Sequence, residues 1–359
     1  MPATRRTFIR SDLIVLFGSG AAVALSGATH FMRAGAVPAF LCSAVAVALL
    51  ASLVGRSVEQ MGDRFGAGAT GVLQSALGNL PELFIALFAL KAGLVAVVQA
   101  ALIGSILANL LLIMGLAFVV GGLKHGHQKL DSARARGTIV LMVLSVVAMV
   151  LPSLAFYVHT PAAEHEGALS MIVSLVLLAL FVLTLPASLR RDADESKTPA
   201  MHHEPPRWSL ALAIGMLVAA SLLAALVSDW FVDALEPAMA ALHISEAFAG
   251  LVIVAIAGNA VENVVGIQLA AAGRSEYAFS VIINSPLQIA LVLAPVLVIA
   301  SQLMGFAPLT LVFPPMLVVS VAVAVIISAF ITFDGESNWI EGAALIAVYA
   351  IIATAFWWG

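Results

Sequence analysis

Apolar residues run through this chain in stretches of about twenty, separated by short polar breaks, and the pattern predicts eleven helices: 12–31, 38–57, 71–90, 95–121, 137–157, 168–188, 208–230, 247–271, 277–303, 312–333 and 340–358. A bilayer core of ~30 Å is crossed by about 20 helical residues. Backbone groups that find no water in lipid must pair within their own segment, so each stretch is predicted as a helix. Composition agrees, with 62% hydrophobic and 10% charged residues and a mean hydropathy of +1.10. The solvent for most of the chain is membrane lipid. A net charge of -4 offers no basic face for nucleic acid, and the sequence has no phosphate-cradling glycine loop, which argues against nucleotide-driven work. No cofactor is implied, and the single cysteine, Cys42, sits in an apolar run as packing.

The basic residues set an orientation. With the N-terminus in the cytoplasm, Arg5, Arg6, Arg10, Arg56, Arg64, Lys124, Lys129, Arg134, Arg136, Arg190, Arg191, Lys197, Arg207 and Arg274 all fall inside, leaving Arg33 and Lys91 outside. Eleven spans then put the C-terminus outside. Arg5-Arg6-Thr7-Phe8-Ile9-Arg10, with Ser26-Gly27-Ala28 beyond it, has the outline of a twin-arginine signal. The apolar stretch is long enough to stay as a span, and retained or cleaved it starts with its arginines inside. The polar stretch from Arg190 to Arg207 reads as a cytoplasmic linker between halves. Short loops point to a bacterial inner membrane.

Set against itself at an offset of 180 residues, the chain matches without a gap at Gly78, Asn79, Glu82, Ala92, Gly93, Ile103, Ser105, Leu107 and Leu111, which meet Gly258, Asn259, Glu262, Ala272, Gly273, Ile283, Ser285, Leu287 and Leu291. Gly-Asn-x-x-Glu, followed in each copy by the same serine, marks a duplication. The predicted fold is therefore an all-α integral membrane protein with one N-terminal helix (1–35), a first five-helix repeat (36–189), the linker (190–207) and a second five-helix repeat (208–359). Five is odd, so the second copy enters the membrane inverted, the arrangement that forms a midplane site between halves. The first helix lies outside the repeat and is free for packing or for a homo-oligomer contact. Helix breaks are predicted at Gly78, Pro81, Gly258, Pro286 and Pro295.

Of twenty acidic residues only Glu82 and Glu262 fall well inside predicted spans, at the same place in the two copies. A carboxylate at a helix centre costs ~2.5–3.5 kcal/mol on insertion scales, so a symmetric pair points to one shared site. Asn79 and Asn259 precede them by three residues and share their helix faces. Gly78 and Gly258 permit close approach or unwinding, and Pro81 withholds a donor, which together loosen backbone carbonyls as ligands. With Ser105, Ser285 and Gln288 the inventory is rich in hard oxygen donors and suits Ca²⁺, or a related cation such as Mn²⁺ or Na⁺, as a transported substrate. Asn109, Asn263 and Asn284 are either further ligands or cross-helix bonds. Two carboxylates in one desolvated site take up protons rather than persist as an empty dianion, so cation and protons compete for the same oxygens.

Gly78-Asn79-Leu80-Pro81-Glu82, Phe88-Ala89-Leu90-Lys91 and Gln99 through Asn109 resemble the first α-repeat of the calcium/proton exchanger family of the cation/calcium antiporter superfamily. Gly258-Asn259-Ala260-Val261-Glu262 and Ser285 through Leu291 resemble the second, and Asp334 through Gly342 resembles the loop before that family's last helix. The resemblance covers helices two to eleven. It implies that Glu82 and Glu262 bind Ca²⁺ and exchange it for H⁺, with Asn79, Asn259, Ser105, Ser285 and Gln288 around them. The chain departs from the family at Asn263, where His is frequent, at Asn284 and Pro286, and in a linker with balanced charges. Glu59 and Glu236, at comparable helix ends, are path acids or solvated ends. The histidines read as surface residues. The alternatives are Na⁺-coupled Ca²⁺ exchange, for which no further buried acid is available, a cation channel, which lacks a recurrent pore loop, and an intramembrane hydrolase, which lacks a metal-binding His motif.

Overall fold

The computed structural model describes residues 7–65, 77–129, 132–195, 206–333 and 335–358, leaving aside the side chains at 62–65, 132–136, 185–195, 261 and 262. The described helices are α1 (Arg10–Phe31), α2 (Ala36–Phe65), α3 (Leu80–Lys91), α4 (Val95–His125), α5 (Ser132–Tyr157), α6 (Glu166–Glu195), α7 (Leu210–Leu242), α8 (Glu246–Gly258), α9 (Ala260–Ala271), α10 (Ser275–Leu303), α11 (Pro315–Thr332) and α12 (Trp339–Trp357). Nine of these are long and apolar enough to cross a membrane, and α8 with α9, bent by 62° between them, forms either a tenth, broken span or a re-entrant loop. The remaining predicted span, 71–90, lies partly outside the described residues, which show only its second part, α3.

Several boundaries differ from the sequence reading for physical reasons. The seventh helix does not stop at 230 but continues to Leu242 through Pro237, so Glu236 lies inside it. Asp233 and Glu236 are exposed there while Phe231, Leu235 and Ala238 are buried, an amphipathic face that sustains a helix beyond its apolar core. Likewise α6 extends through Glu195, into the stretch assigned to the linker; residues 196–205 of that linker are outside the described set.

Of the predicted breaks, two occur. Residues 78 and 79 form a turn before α3, and α8 ends at Gly258. Pro286 and Pro295 do not break their helix; α10 crosses as one span and instead widens into a π-helical turn at Ile289–Leu293. The same widening occurs in α4 at Ala108–Ile113, where there is no proline, so it belongs to the packing of both helices and not to proline chemistry. Over the two motif segments, α3 and α9, and the starts of α4 and α10, are displaced by the same 180 residues, and Gly93 and Gly273 take matching left-handed turns (φ 84° and 74°).

Contacts divide the chain into two units, Met1–Phe88 with Leu180–Leu242, and Ala89–Ala179 with His243–Gly359. In the first, α1, α2 and α7 pack together, with Phe40 stacked on Phe231 at 4.9 Å and a core of Leu53, Val54, Val58, Trp208, Leu217 and Ala220. In the second, α4 and α10 are the central helices, buried along 78% and 67% of their most apolar stretch, against 17% for α1 and for α6. Close crossings of small residues hold α4. A Cβ on Gly104 would strike the Leu251 backbone, and one on Gly115 would stand 2.7 Å from the Gly342 carbonyl oxygen.

Between α10 and α11 the chain does something the hydropathy pattern hides. Leu309, Leu311 and Phe313 are fully buried but not helical, so their backbone groups need partners from elsewhere. Side chains supply them. Ser301 Oγ accepts from Leu309 N–H, Ser170 Oγ from Leu311 N–H and Ser153 Oγ from Phe313 N–H, while Ser153 donates to Leu311 O and the Gln99 amide donates to Thr310 O and Val312 O. At the other end of this unit, Gln128–Lys129 pairs antiparallel with Glu336–Ser337 as a short β-ribbon, and Ser275 donates to Lys129 O.

Candidate functional site

Two half-helices carry the Gly-Asn-x-x-Glu motifs. In the first unit, Asn79 is buried and its carbonyl accepts from Leu83 N–H at 3.0 Å, starting α3. Glu82 follows in the first turn of α3 and is 7% exposed. A helix N-terminus carries partial positive charge, which favours a carboxylate at that position. Pro81 sits in the same first turn, where its missing N–H has no intrahelical partner to lose, so it starts the helix more than it frees a carbonyl.

In the second unit, the junction falls at Asn259 (φ -86°, ψ 14°), between the end of α8 and the start of α9. Asn259 N–H donates to Ala255 O and Asn259 O accepts from Asn263 N–H, so the chain turns with few backbone groups given up. Residue 262 is the third of α9, as residue 82 is the third of α3. The Glu262 side chain lies outside the described set.

Around Asn259 the second unit builds a buried polar hub. Asn259 Nδ2 donates to Ser105 Oγ at 2.8 Å and to Ala255 O at 2.9 Å. Its Oδ1 accepts from Ser285 Oγ and from Asn109 Nδ2, each at 3.2 Å. Asn109 Nδ2 also lies 3.2 Å from Ser285 Oγ and 2.9 Å from Ser105 O. All four residues are at most 3% exposed. Ser105 and Ser285, one from each copy, thus meet on the asparagine of the second motif. In so apolar a setting a hydrogen-bonded network of this kind fixes the register of three helices.

The sequence reading left Asn109 open between ligand and cross-helix bond, and the structure shows the cross-helix bond. Its position four residues after Ser105, in the middle of an apolar helix, was the available signal. Its Oδ1 is buried with no partner among the described residues, as is that of Asn263. Gln288 ends the α-helical part of α10 and is half-buried, while Asn284 is exposed. Glu59 is exposed in the last turns of α2. Among the described residues no three His, Cys, Asp or Glu side chains gather into a metal cluster, and the donors gathered around Asn259 are amides, hydroxyls and carbonyls.

Spans of this number and hydropathy, two half-helices opening on buried asparagines, and a polar hub inside apolar helices define an all-helical integral membrane protein of the transporter type. The chain belongs to the sodium/calcium exchanger protein family, whose profile matches residues 35–189 and 212–358. It is 34% identical to the Ca²⁺/H⁺ antiporter of Aphanothece halophytica over 358 residues, covering 95% of this chain and 96% of that protein. To the Ca²⁺/H⁺ antiporter ChaA of Bacillus subtilis it is 36% identical over 348 residues, covering 95% and 97%. The solved structure of native YfkE superposes with a TM-score of 0.82 at 34% identity, over 96% of this chain and 99% of that one.

Proposed function

We propose that this protein is a secondary active antiporter that exchanges Ca²⁺ for H⁺ across a membrane, with Glu82 and Glu262 alternately holding the cation and protons. The observation that carries this reading is the polar hub, in which the serines of both copies converge on Asn259 beside the residue-262 half-helix, in a chain similar along nearly its whole length to Ca²⁺/H⁺ antiporters. Asn79, Asn259, Ser105, Ser285 and Gln288 supply neutral oxygens around the carboxylates. Ca²⁺ takes about 6–8 such donors, and a carboxylate pair neutralises its charge. The matched displacement of α3 and α9, and of the starts of α4 and α10, supports two inverted five-helix repeats and an alternating-access cycle.

In this reading the hub takes part in receiving the cation. Asn259 Oδ1 already accepts two hydrogen bonds, so it turns to a cation only as Asn109 and Ser285 rotate away. Cation binding and hub rearrangement are then one event. When the cation leaves, protons on the glutamates remove the repulsion of an empty dianion.

The test is uptake of radiolabelled Ca²⁺ into proteoliposomes under an imposed pH gradient, with internal pH followed together, for the parent, Glu82→Gln and Glu262→Gln. The parent takes up Ca²⁺ and exports protons, and each variant loses both. Uptake that survives both substitutions, or that requires Na⁺ and ignores the pH gradient, overturns the mechanism.

A further inference from the structure

The N-terminal helix lies outside the matched repeats, yet the first unit fastens it at both ends. At one end Asp12, 3% exposed, accepts from Arg56 Nη1 of α2 at 2.7 Å and lies 3.5 Å from Arg207 Nη2 just ahead of α7. Its second oxygen caps Ile9 N–H at 3.1 Å. Gln60 Oε1 of α2 accepts from the backbone N–H groups of Arg207 and Trp208, and Trp208 packs against Phe8 at 5.5 Å. Toward the other end Ser26 Oγ and Ser43 Oγ share a 2.8 Å hydrogen bond, both fully buried. Beside that bond Gly27 leaves room for Trp230 of α7, whose ring stacks on His30 at 5.5 Å and meets the edge of Phe31 at 5.6 Å.

A helix held only by lipid-like packing could slide or swing freely. This one would have to give up a partly buried ion cluster, a fully buried serine pair and an aromatic stack at once, and the serine pair finds no water inside apolar packing to replace its bond. Its outer face, by contrast, is plain: Ile14 and Phe17 are each 71% exposed.

We propose that α1, α2 and α7 travel through the transport cycle as one rigid three-helix body, with Asp12, Arg56 and Arg207 as its clamp. This rests on the alternating-access reading above and adds to it a role for the helix outside the repeats.

The test uses the full chain carrying Cys42→Ala, Ser26→Cys and Ser43→Cys, reconstituted in proteoliposomes. Two cysteines at a side-chain contact are within reach of a disulfide. The rate of disulfide formation is measured with Ca²⁺ at high pH and without Ca²⁺ at low pH, and Ca²⁺ uptake is measured before oxidation, after it, and after dithiothreitol. The rigid body predicts the same rate in both conditions and uptake unchanged by the cross-link. A rate that differs roughly tenfold or more between conditions, as lost positioning produces, or uptake abolished by oxidation and restored by reductant, overturns it. Should the reduced protein show no pH-driven uptake, the antiport reading fails, and the two rates alone still decide whether α1 and α2 move together. Adding Asp12→Asn makes the rate depend on condition if the ion cluster is the clamp. An unchanged rate in that variant removes the clamp role.

Discussion

Replacing Gly104 with alanine places one methyl group against the backbone of Leu251, where α4 crosses α8. No side chain can rotate to make room, because the atoms in the way are the carbonyl oxygen, Cα and carbonyl carbon of Leu251. To restore an ordinary carbon contact of about 3.5–4.0 Å the two helices separate by roughly an ångström. Overpacking of this kind costs ~1–3 kcal/mol. The separation also draws Ser105 Oγ away from Asn259 Nδ2, now at 2.8 Å, beyond hydrogen-bond range. That adds ~1 kcal/mol, offset by a gain of similar size from alanine's helix propensity. The net loss is ~1–3 kcal/mol together with a displaced serine at the hub. Gly215→Ala is the control, since nothing lies within 4 Å of its Cβ position and the substitution gains ~0.5–1 kcal/mol from propensity alone. Thermal unfolding in detergent and pH-driven Ca²⁺ uptake in proteoliposomes are measured for both. Gly104→Ala melts below the parent and transports poorly, while Gly215→Ala matches the parent in transport and melts at or above it. If Gly104→Ala melts as high as Gly215→Ala and transports normally, the close crossing does not hold the hub and the reasoning fails.

Ser153→Ala leaves Leu311 O and Phe313 N–H without their partner in a buried, non-helical segment, at about 1–3 kcal/mol for each group. It lowers the melting temperature and exposes residues 304–314 to protease, and a variant as resistant as the parent would show that the serine is dispensable. If Ca²⁺ displaces protons from the glutamates, its apparent affinity falls as pH falls, by about tenfold per pH unit for each proton displaced. Equilibrium Ca²⁺ binding across pH 6.5 to 8, values chosen to span about neutrality, checks this. An affinity that stays flat with pH would remove competition as the basis of exchange.

Much of the architecture was legible in one dimension because lipid imposes a strict rule: a stretch of about twenty apolar residues must form a helix to satisfy its backbone. The spans from Val95 to His125 and from Ser275 to Leu303 follow from that rule, and the offset of 180 residues named both Gly-Asn-x-x-Glu motifs and both serines. Hydropathy cannot report where polar groups find partners. The π-turns of α4 and α10, the buried extended segment ending at Phe313 and the continuation of α7 past Glu236 each depend on neighbours distant in sequence. The sequence alone therefore determined that this is an all-helical membrane protein and singled out the asparagines and serines of its two recurring motifs. Only the tertiary structure decided that Ser105, Asn109, Asn259 and Ser285 close into one hub and that Asp12 ties α1 to Arg56, because a hydrogen bond between residues far apart in sequence exists only once packing has brought them within about 3 Å.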